Sequence, residues 1–138
     1  MADKKVGVLS CSGEECLGGT ISRLATRKMM EELRADKTVT LCLPLYVAGG
    51  EQERYFAKAY PVIAVDGCSK CCAKRATEKY SGEVSASIIV SDILGDNVAL
   101  DKTVSTKDLT EEHFKMVDKV ADEICVKFDE ILKEKVNK

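Results

Sequence analysis

The sequence predicts a three-layer α/β sandwich with a four-stranded, parallel, doubly wound sheet. Three observations predict this fold class. Short apolar runs alternate with segments of helical period along the chain. The apolar runs are continuous, as in parallel strands that are buried on both faces. The length of 138 residues suits one domain with a single core. We therefore expect residues 1–138 to form one α/β domain.

Four apolar runs are the predicted strands. The first is Val6–Ser10, and the third and fourth are 62–65 and 86–91. The second is 38–43, which is β-branched and apolar. Pro44 follows it and should end it, since proline has no N–H to donate to a sheet.

The segments between and after these runs have helical spacing. Helices are predicted over 20–35, 51–60 and 69–80, and a longer one from 110 to 135 follows the loop 92–109. The start of the long helix is marked by Thr110 and two glutamates, which favour a helix N-terminus. Its apolar residues predict an inner face made of Phe114, Val117, Val120, Ala121, Ile124, Cys125, Phe128, Ile131 and Leu132.

The charge balance excludes some classes of partner. The chain has 21 basic and 23 acidic side chains, for a net charge of -2, which is not the footprint of a nucleic-acid-binding protein. No apolar run approaches the roughly 20 residues of a membrane span. We expect a soluble cytoplasmic protein without nucleic acid or membrane partners, and the sequence predicts no particular protein partner.

Cysteine content is the unusual feature of the composition. The seven cysteines are too few for a disulfide-built mini-protein, in a chain long enough to fold without covalent links. Reduced thiols that act as metal ligands or redox groups are therefore the better expectation.

Three of these cysteines fall where predicted strands end. Cys11 follows the first strand, Cys42 lies near the end of the second, and Cys68 follows the third. The carboxyl ends of parallel strands meet at one edge of a sheet, where ligands bind. Cys72 lies one helical turn after Cys68 and is expected to point inward, whereas Cys71 is expected to point outward. Four thiolates suit Zn²⁺, and an iron–sulfur cluster is the alternative cofactor.

The sequence indicates other residues of this predicted site less strongly. Cys16 and Cys71 are possible additional thiols of the site. Asp66 is expected either to cap the helix that follows it or to orient a metal ligand, and Ser12 is a second possible outer residue of the site. Cys125 lies within an apolar helical stripe and is expected to fill the core.

The same residues resemble a known family. Asp66-Gly67-Cys68, followed by Cys72-Ala73 and a basic residue, is similar to the signature of the DGC-domain proteins, a family described as zinc-binding. Cys11-Ser12-Gly13 and Cys42-Leu43 are similar to its other two cysteine positions, and the resemblance covers residues 6–92.

This resemblance implies a ligand set but no reaction. It implies zinc held by Cys11, Cys42, Cys68 and Cys72. Cys16 and Cys71 are additions to the family's pattern, so a centre richer in thiols stays open.

Several functions stay open at this stage. The first is metal binding for storage, delivery, sensing or structural support. The alternative is a thiol–disulfide redox protein that uses Cys68, Cys71 and Cys72, since a helix start lowers a thiol pKa. A phosphatase-like use of Cys11 and Cys16 is disfavoured because Leu17 stands where the phosphate loop requires arginine.

Whether the protein is an enzyme stays open as well. Zinc with four protein thiolates has no free position for water. If Cys11 or Cys42 is not a ligand, an open position appears.

Overall fold

The computed structural model describes residues 5–11, 16–95 and 98–136. It contains a four-stranded parallel sheet between two layers of helices, which confirms the predicted fold class. The strands are β1 (Val6–Ser10), β2 (Thr38–Val39), β3 (Val62–Asp66) and β4 (Ala86–Ile89).

The strand order is β2-β1-β3-β4, with all neighbours parallel. The chain leaves β1 toward β2 on one side and then crosses to β3 on the other side. Strand order therefore reverses between β1 and β3, whose ends are aligned by the pairing of Ser10 with Val65. In sheets of this kind, the crevice beyond that reversal is the usual ligand position.

The helices surround this sheet. A π-helical turn, Met29–Leu33, continues the first helix, and a 3₁₀ turn covers Thr106–Asp108. In chain order the α-helices are α1 (Leu17–Lys28), α2 (Leu45–Ala48), α3 (Glu51–Arg54), α4 (Phe56–Ala59), α5 (Cys72–Tyr80), α6 (Val90–Leu94) and α7 (Glu111–Val136).

One helical layer is built mainly by α1 and α7, which pack on each other and on the sheet. Their buried residues recur every three or four positions, so each helix buries one continuous stripe. The stripe of α1 is Leu17, Ile21 and Ala25, and that of α7 is Val117, Val120, Ala121, Ile124, Phe128 and Ile131.

The opposite layer contains the short helices α2 to α4 and α5. Tyr46 and Phe56 pack there against Leu9 and Val62 of the sheet. Ala73 of α5 packs on Ala64 and Cys11. The two layers thus meet the sheet on different faces, and Cys11 lies at its carboxyl edge.

The second strand is shorter than the predicted 38–43. Pairing ends at Val39, and the Thr40 hydroxyl donates to the Val8 carbonyl at 2.8 Å. This side-chain bond occupies a carbonyl of the neighbouring strand, and residues 40–43 leave the sheet. Cys42 therefore lies beyond the strand and is exposed.

Several helix boundaries also differ from prediction. α1 begins three residues early, and the predicted 51–60 helix is two short helices joined at Tyr55. Val90 starts α6 instead of continuing β4. Phe114 was expected on the inner face of α7, and that is wrong: it is 50% exposed, and the first buried residue of that helix is Val117.

Candidate thiol site

Cys11 is the buried thiol at the point of strand reversal. It is 8% exposed, and its N–H donates to the Val65 carbonyl at 3.0 Å, which continues the β1–β3 pairing past the end of β1. The N–H of Gly67 donates to the Cys11 Sγ atom at 3.3 Å. The sulfur is therefore fixed against the segment that leads from β3 to Cys68.

A second polar contact comes from α1. The Cys11 Sγ and Ser22 Oγ atoms are 3.4 Å apart, and the Ser22 hydroxyl donates to the Gly19 carbonyl at 2.8 Å. Because a serine hydroxyl has one hydrogen, the neutral thiol is the donor to Ser22. If Cys11 were to hold a metal as a thiolate, the Gly67 N–H would remain available to donate to its sulfur, and the Ser22 hydroxyl would be available as a second donor.

Two glycines allow the start of α1 and the segment between β3 and Cys68 to approach each other. A Cβ atom added at Gly67 would lie 2.5 Å from the carbonyl carbon of Gly18 and 2.7 Å from the nitrogen of Gly19. A Cβ atom added at Gly18 would lie 2.8 Å from the Gly67 carbonyl oxygen. Backbone packs directly on backbone here, so no side chain fits at either position.

Asp66 ends β3 and fixes the start of α5. Its carboxylate is 1% exposed and accepts the N–H groups of Ala73 at 2.6 Å and Lys74 at 3.3 Å. Burial raises the pKa of this carboxyl, while those N–H groups and the Lys74 charge lower it. The prediction that Asp66 caps the following helix is confirmed.

Cys71 adopts an unusual backbone conformation before that helix. It has φ 54° and ψ 49°, in the left-handed region that is uncommon for residues other than glycine. Its N–H donates to the Cys68 carbonyl at 3.2 Å, closing a turn over 68–71. This turn delays the helix to Cys72, instead of the predicted start at residue 69.

The delay changes the exposure of the two thiols. Cys72 was expected to turn inward and Cys71 outward, and this expectation is wrong as stated: Cys72 is exposed and Cys71 is half-buried. The predicted helical phase assumed a helix that already includes residues 69–71. A left-handed residue breaks that phase.

Electrostatics nevertheless connect Cys72 to the strand-end thiols. Partial desolvation of the sulfur raises the pKa of Cys72, and Asp66, Cys11 and Cys68 raise it further, while Lys70 lowers it. For Cys71, desolvation is again the largest cause of a raised pKa, followed by Asp66. Negative charge on these sulfurs is therefore unfavourable without a nearby cation.

Cys42 shares a cleft with Cys11. Both residues line a space of about 530 Å³ between α1 and residues 40–44. Among the residues that the structure describes, Cys68 and Cys72 do not line this cleft. Cys11 thus stands between Cys42 in the cleft and the Cys68–Cys72 segment.

Three further residues of the sequence prediction are Cys16, Ser12 and Cys125. Cys16 directly precedes α1 and is half-buried. Ser12 lies outside the described residues. Cys125 packs at the edge of the core, with its Sγ 3.5 Å from the Met29 Sδ, as expected of a core-filling cysteine.

The possible metal ligands of the described residues do not form a ready-made site. Within 5–11, 16–95 and 98–136, no group of three or more His, Cys, Asp or Glu side chains is arranged to hold a metal ion. The donor chemistry still fits zinc, because thiolates are its preferred structural ligands. Cys42, Cys68 and Cys72 are exposed, so their side chains are free of close packing and can change rotamer.

Sequence reasoning missed Ser22 and Gly18, which shape the surroundings of Cys11. A signal for Gly18 was present: two adjacent glycines in the first turn of a helix are unfavourable unless close packing requires them. No sequence signal marked Ser22, whose contact with Cys11 depends on how α1 lies across β1.

Comparison with protein families supplies a classification. The family model described as DGC domain matches residues 7–124, which is most of the chain. The chain belongs to the DGC-domain family. No curated protein and no solved structure matched it significantly.

In this DGC-domain protein, the Asp66 and Gly67 residues of the Asp-Gly-Cys triplet each make structural contacts of their own. Asp66 caps α5, Gly67 permits the backbone contact with α1 and donates to Cys11, and Cys68 follows as an exposed thiol. Across the described part of the chain, no helix combines the length and apolarity needed to cross a membrane.

Proposed function

We propose that this DGC-domain protein binds a soft divalent metal ion, zinc by default, through cysteine thiolates. Cys11, Cys68 and Cys72 are the first three ligands and Cys42 is the fourth. The observation that carries the proposal is the place of Cys11: buried at the strand reversal, hydrogen-bonded to Gly67, and electrostatically linked to Cys72.

The charge around the site supports a cation. Burial raises the pKa of Cys72, and Asp66, Cys11 and Cys68 raise it further because their negative charges repel an ionised sulfur. A divalent cation reverses this effect and favours the thiolates. The Gly67 N–H donates to Cys11 and would offset part of the negative charge that four thiolates bring to zinc.

Exposure of the ligands indicates an exchangeable metal. Cys11 is buried, while Cys42, Cys68 and Cys72 are exposed. One fixed thiol and three accessible ones would close around the metal as it binds, so binding would be coupled to local ordering. Such a site suits storage, delivery or sensing better than permanent structural support. The cytoplasm is the compartment that keeps such thiols reduced.

The thiol–disulfide alternative has weaker support. A nucleophilic thiol needs a lowered pKa, whereas the pKa values of Cys71 and Cys72 are both raised.

Elemental analysis of protein purified without added metal tests the proposal. We expect about one zinc per chain, as for a folded thiolate site. Below about 0.3 zinc per chain, with neither iron nor sulfide, the proposal fails. If the analysis finds iron together with sulfide, the bound cofactor is an iron–sulfur cluster and not zinc.

Serine variants identify the ligands. Cys11→Ser and Cys72→Ser should each weaken zinc binding by about tenfold or more, measured by competition with a chromophoric chelator. Cys71→Ser and Cys125→Ser are the controls and should retain binding. An equal or larger loss at Cys71 would show that the ligand set is wrong.

A further inference from the structure

We infer that the cleft between α1 and residues 40–44 binds a small thiol that carries carboxylate groups. This inference deepens the proposed function, because it names a class of molecule that would share the metal with Cys11. Only this metal-dependent part rests on the proposed function. The binding of the carboxylates is independent of any metal.

The walls of the cleft come from three elements. One face of α1 and the turn after it form the first wall, residues 40–44 form the second, and Ser10 and Cys11 close the end at the sheet. The volume of about 530 Å³ lies within the range of small-ligand sites. A molecule of tripeptide size fits this space.

Charge on the α1 wall favours carboxylates. Arg23 and Arg27 both line the cleft, and the Nη1 atom of Arg23 is shielded from solvent, where charges interact strongly. Arg27 donates from Nη2 to Glu31 Oε1 at 2.6 Å. Its guanidinium has further donors for a ligand carboxylate, and Glu31, also in the wall, can accept from a ligand ammonium group.

The opposite wall and the closed end favour a soft, partly apolar ligand. Leu41, Leu43 and Pro44 supply apolar surface, and Cys11 and Cys42 supply sulfur. A ligand with carboxylates at one end and a thiol at the other would place its thiol beside Cys11. At a metal bound by Cys11, the thiolate of that ligand would take the position of Cys42, the other thiol that lines the cleft.

Reduced glutathione is the probe, because it combines two carboxylates, one ammonium group and one thiol. Isothermal titration into metal-free, reduced protein should give a Kd below about 1 mM. Arg27→Gln and Arg23→Gln should each weaken binding about tenfold, since each removes a charged donor. Arg75→Gln, an exposed arginine on α5 outside the described wall, is the matched control and should change Kd less than about twofold.

Thermal melts report whether each variant folds, and Arg27 is exposed, so its replacement should leave the fold intact. If glutathione fails to bind metal-free protein, or if Arg27→Gln binds as the parent does, the carboxylate site is refuted. Neither result affects the zinc proposal, which elemental analysis decides separately.

A second titration tests the thiol. Zinc-loaded protein should bind glutathione about tenfold more tightly than S-methylglutathione, which cannot supply a thiolate. Equal affinities of the two compounds for zinc-loaded protein would overturn the assignment of the ligand as a thiol. If the protein takes up no zinc, the proposed function fails, and the metal-free titration still decides the carboxylate site.

Discussion

Replacing Gly67 with alanine should separate the end of β3 from the start of α1. The new Cβ atom would lie 2.5 Å from the Gly18 carbonyl carbon, about 1 Å closer than a normal carbon contact. The atoms that it meets belong to the backbone of α1, so no side-chain rotation relieves the clash. The start of α1 and the end of β3 must therefore move apart.

Such a movement has a cost that can be estimated. Overpacking that shifts backbone costs about 1–3 kcal/mol, and we expect the upper part of this range for Gly67→Ala because both partners are backbone. The same shift lengthens the 3.3 Å contact between the Gly67 N–H and Cys11 Sγ. Zinc affinity should fall together with stability.

Urea denaturation of metal-free protein measures the loss of stability, and chelator competition measures the loss of zinc affinity. Gly82→Ala is the matched control, since its Cβ would meet its nearest atom at 3.6 Å, an ordinary contact. The control should be neutral or slightly stabilising, by up to about 1 kcal/mol. A Gly67→Ala variant within about 0.5 kcal/mol of the parent would refute the packing argument.

Two further predictions concern stability. Burial raises the pKa of Tyr46 above its usual 10.0, so the stability it contributes below pH 10 is lost as pH rises further. Melting temperature should fall more steeply with alkali in the parent than in Tyr46→Phe, with exposed Tyr55→Phe behaving as the parent; identical slopes for all three would contradict this. Arg34 donates to both carboxylate oxygens of Asp129, at 3.1 and 2.7 Å. Asp129→Asn should lower the free energy of unfolding by up to about 1 kcal/mol in urea denaturation. This loss should be smaller in 1 M salt, where the screening length is about threefold shorter than in 0.1 M salt; a salt-independent loss would indicate packing instead.

The layers of the fold could be predicted because they depend on periodicity within single elements. Ile21 and Ala25 recur at helical spacing, and the β3 run is apolar at every position before Asp66. A stripe of this kind has to be buried whatever its neighbours are. Such patterns predicted both the parallel sheet and its two helical layers.

The local departures depend on contacts between distant residues. The Thr40 hydroxyl reaches the carbonyl of Val8 in another strand, and the Asp66 carboxylate determines where α5 begins. Neither contact has a periodic signal in the sequence. They decide the positions of Cys42, which was expected near the end of the second strand, and of Cys72, which was expected to point inward from the helical phase.

The long helix α7 has a consequence for the order of events during synthesis. It supplies Val117, Val120, Ile124 and Phe128 to the core, yet the ribosome makes it after the whole sheet. At typical translation rates its 26 residues take about 1–5 s. Through that interval the nascent sheet lacks the α7 part of its helical layer, although Cys11, Cys42 and Cys68 have already been synthesised. The strand-end thiols are therefore made before the core can close.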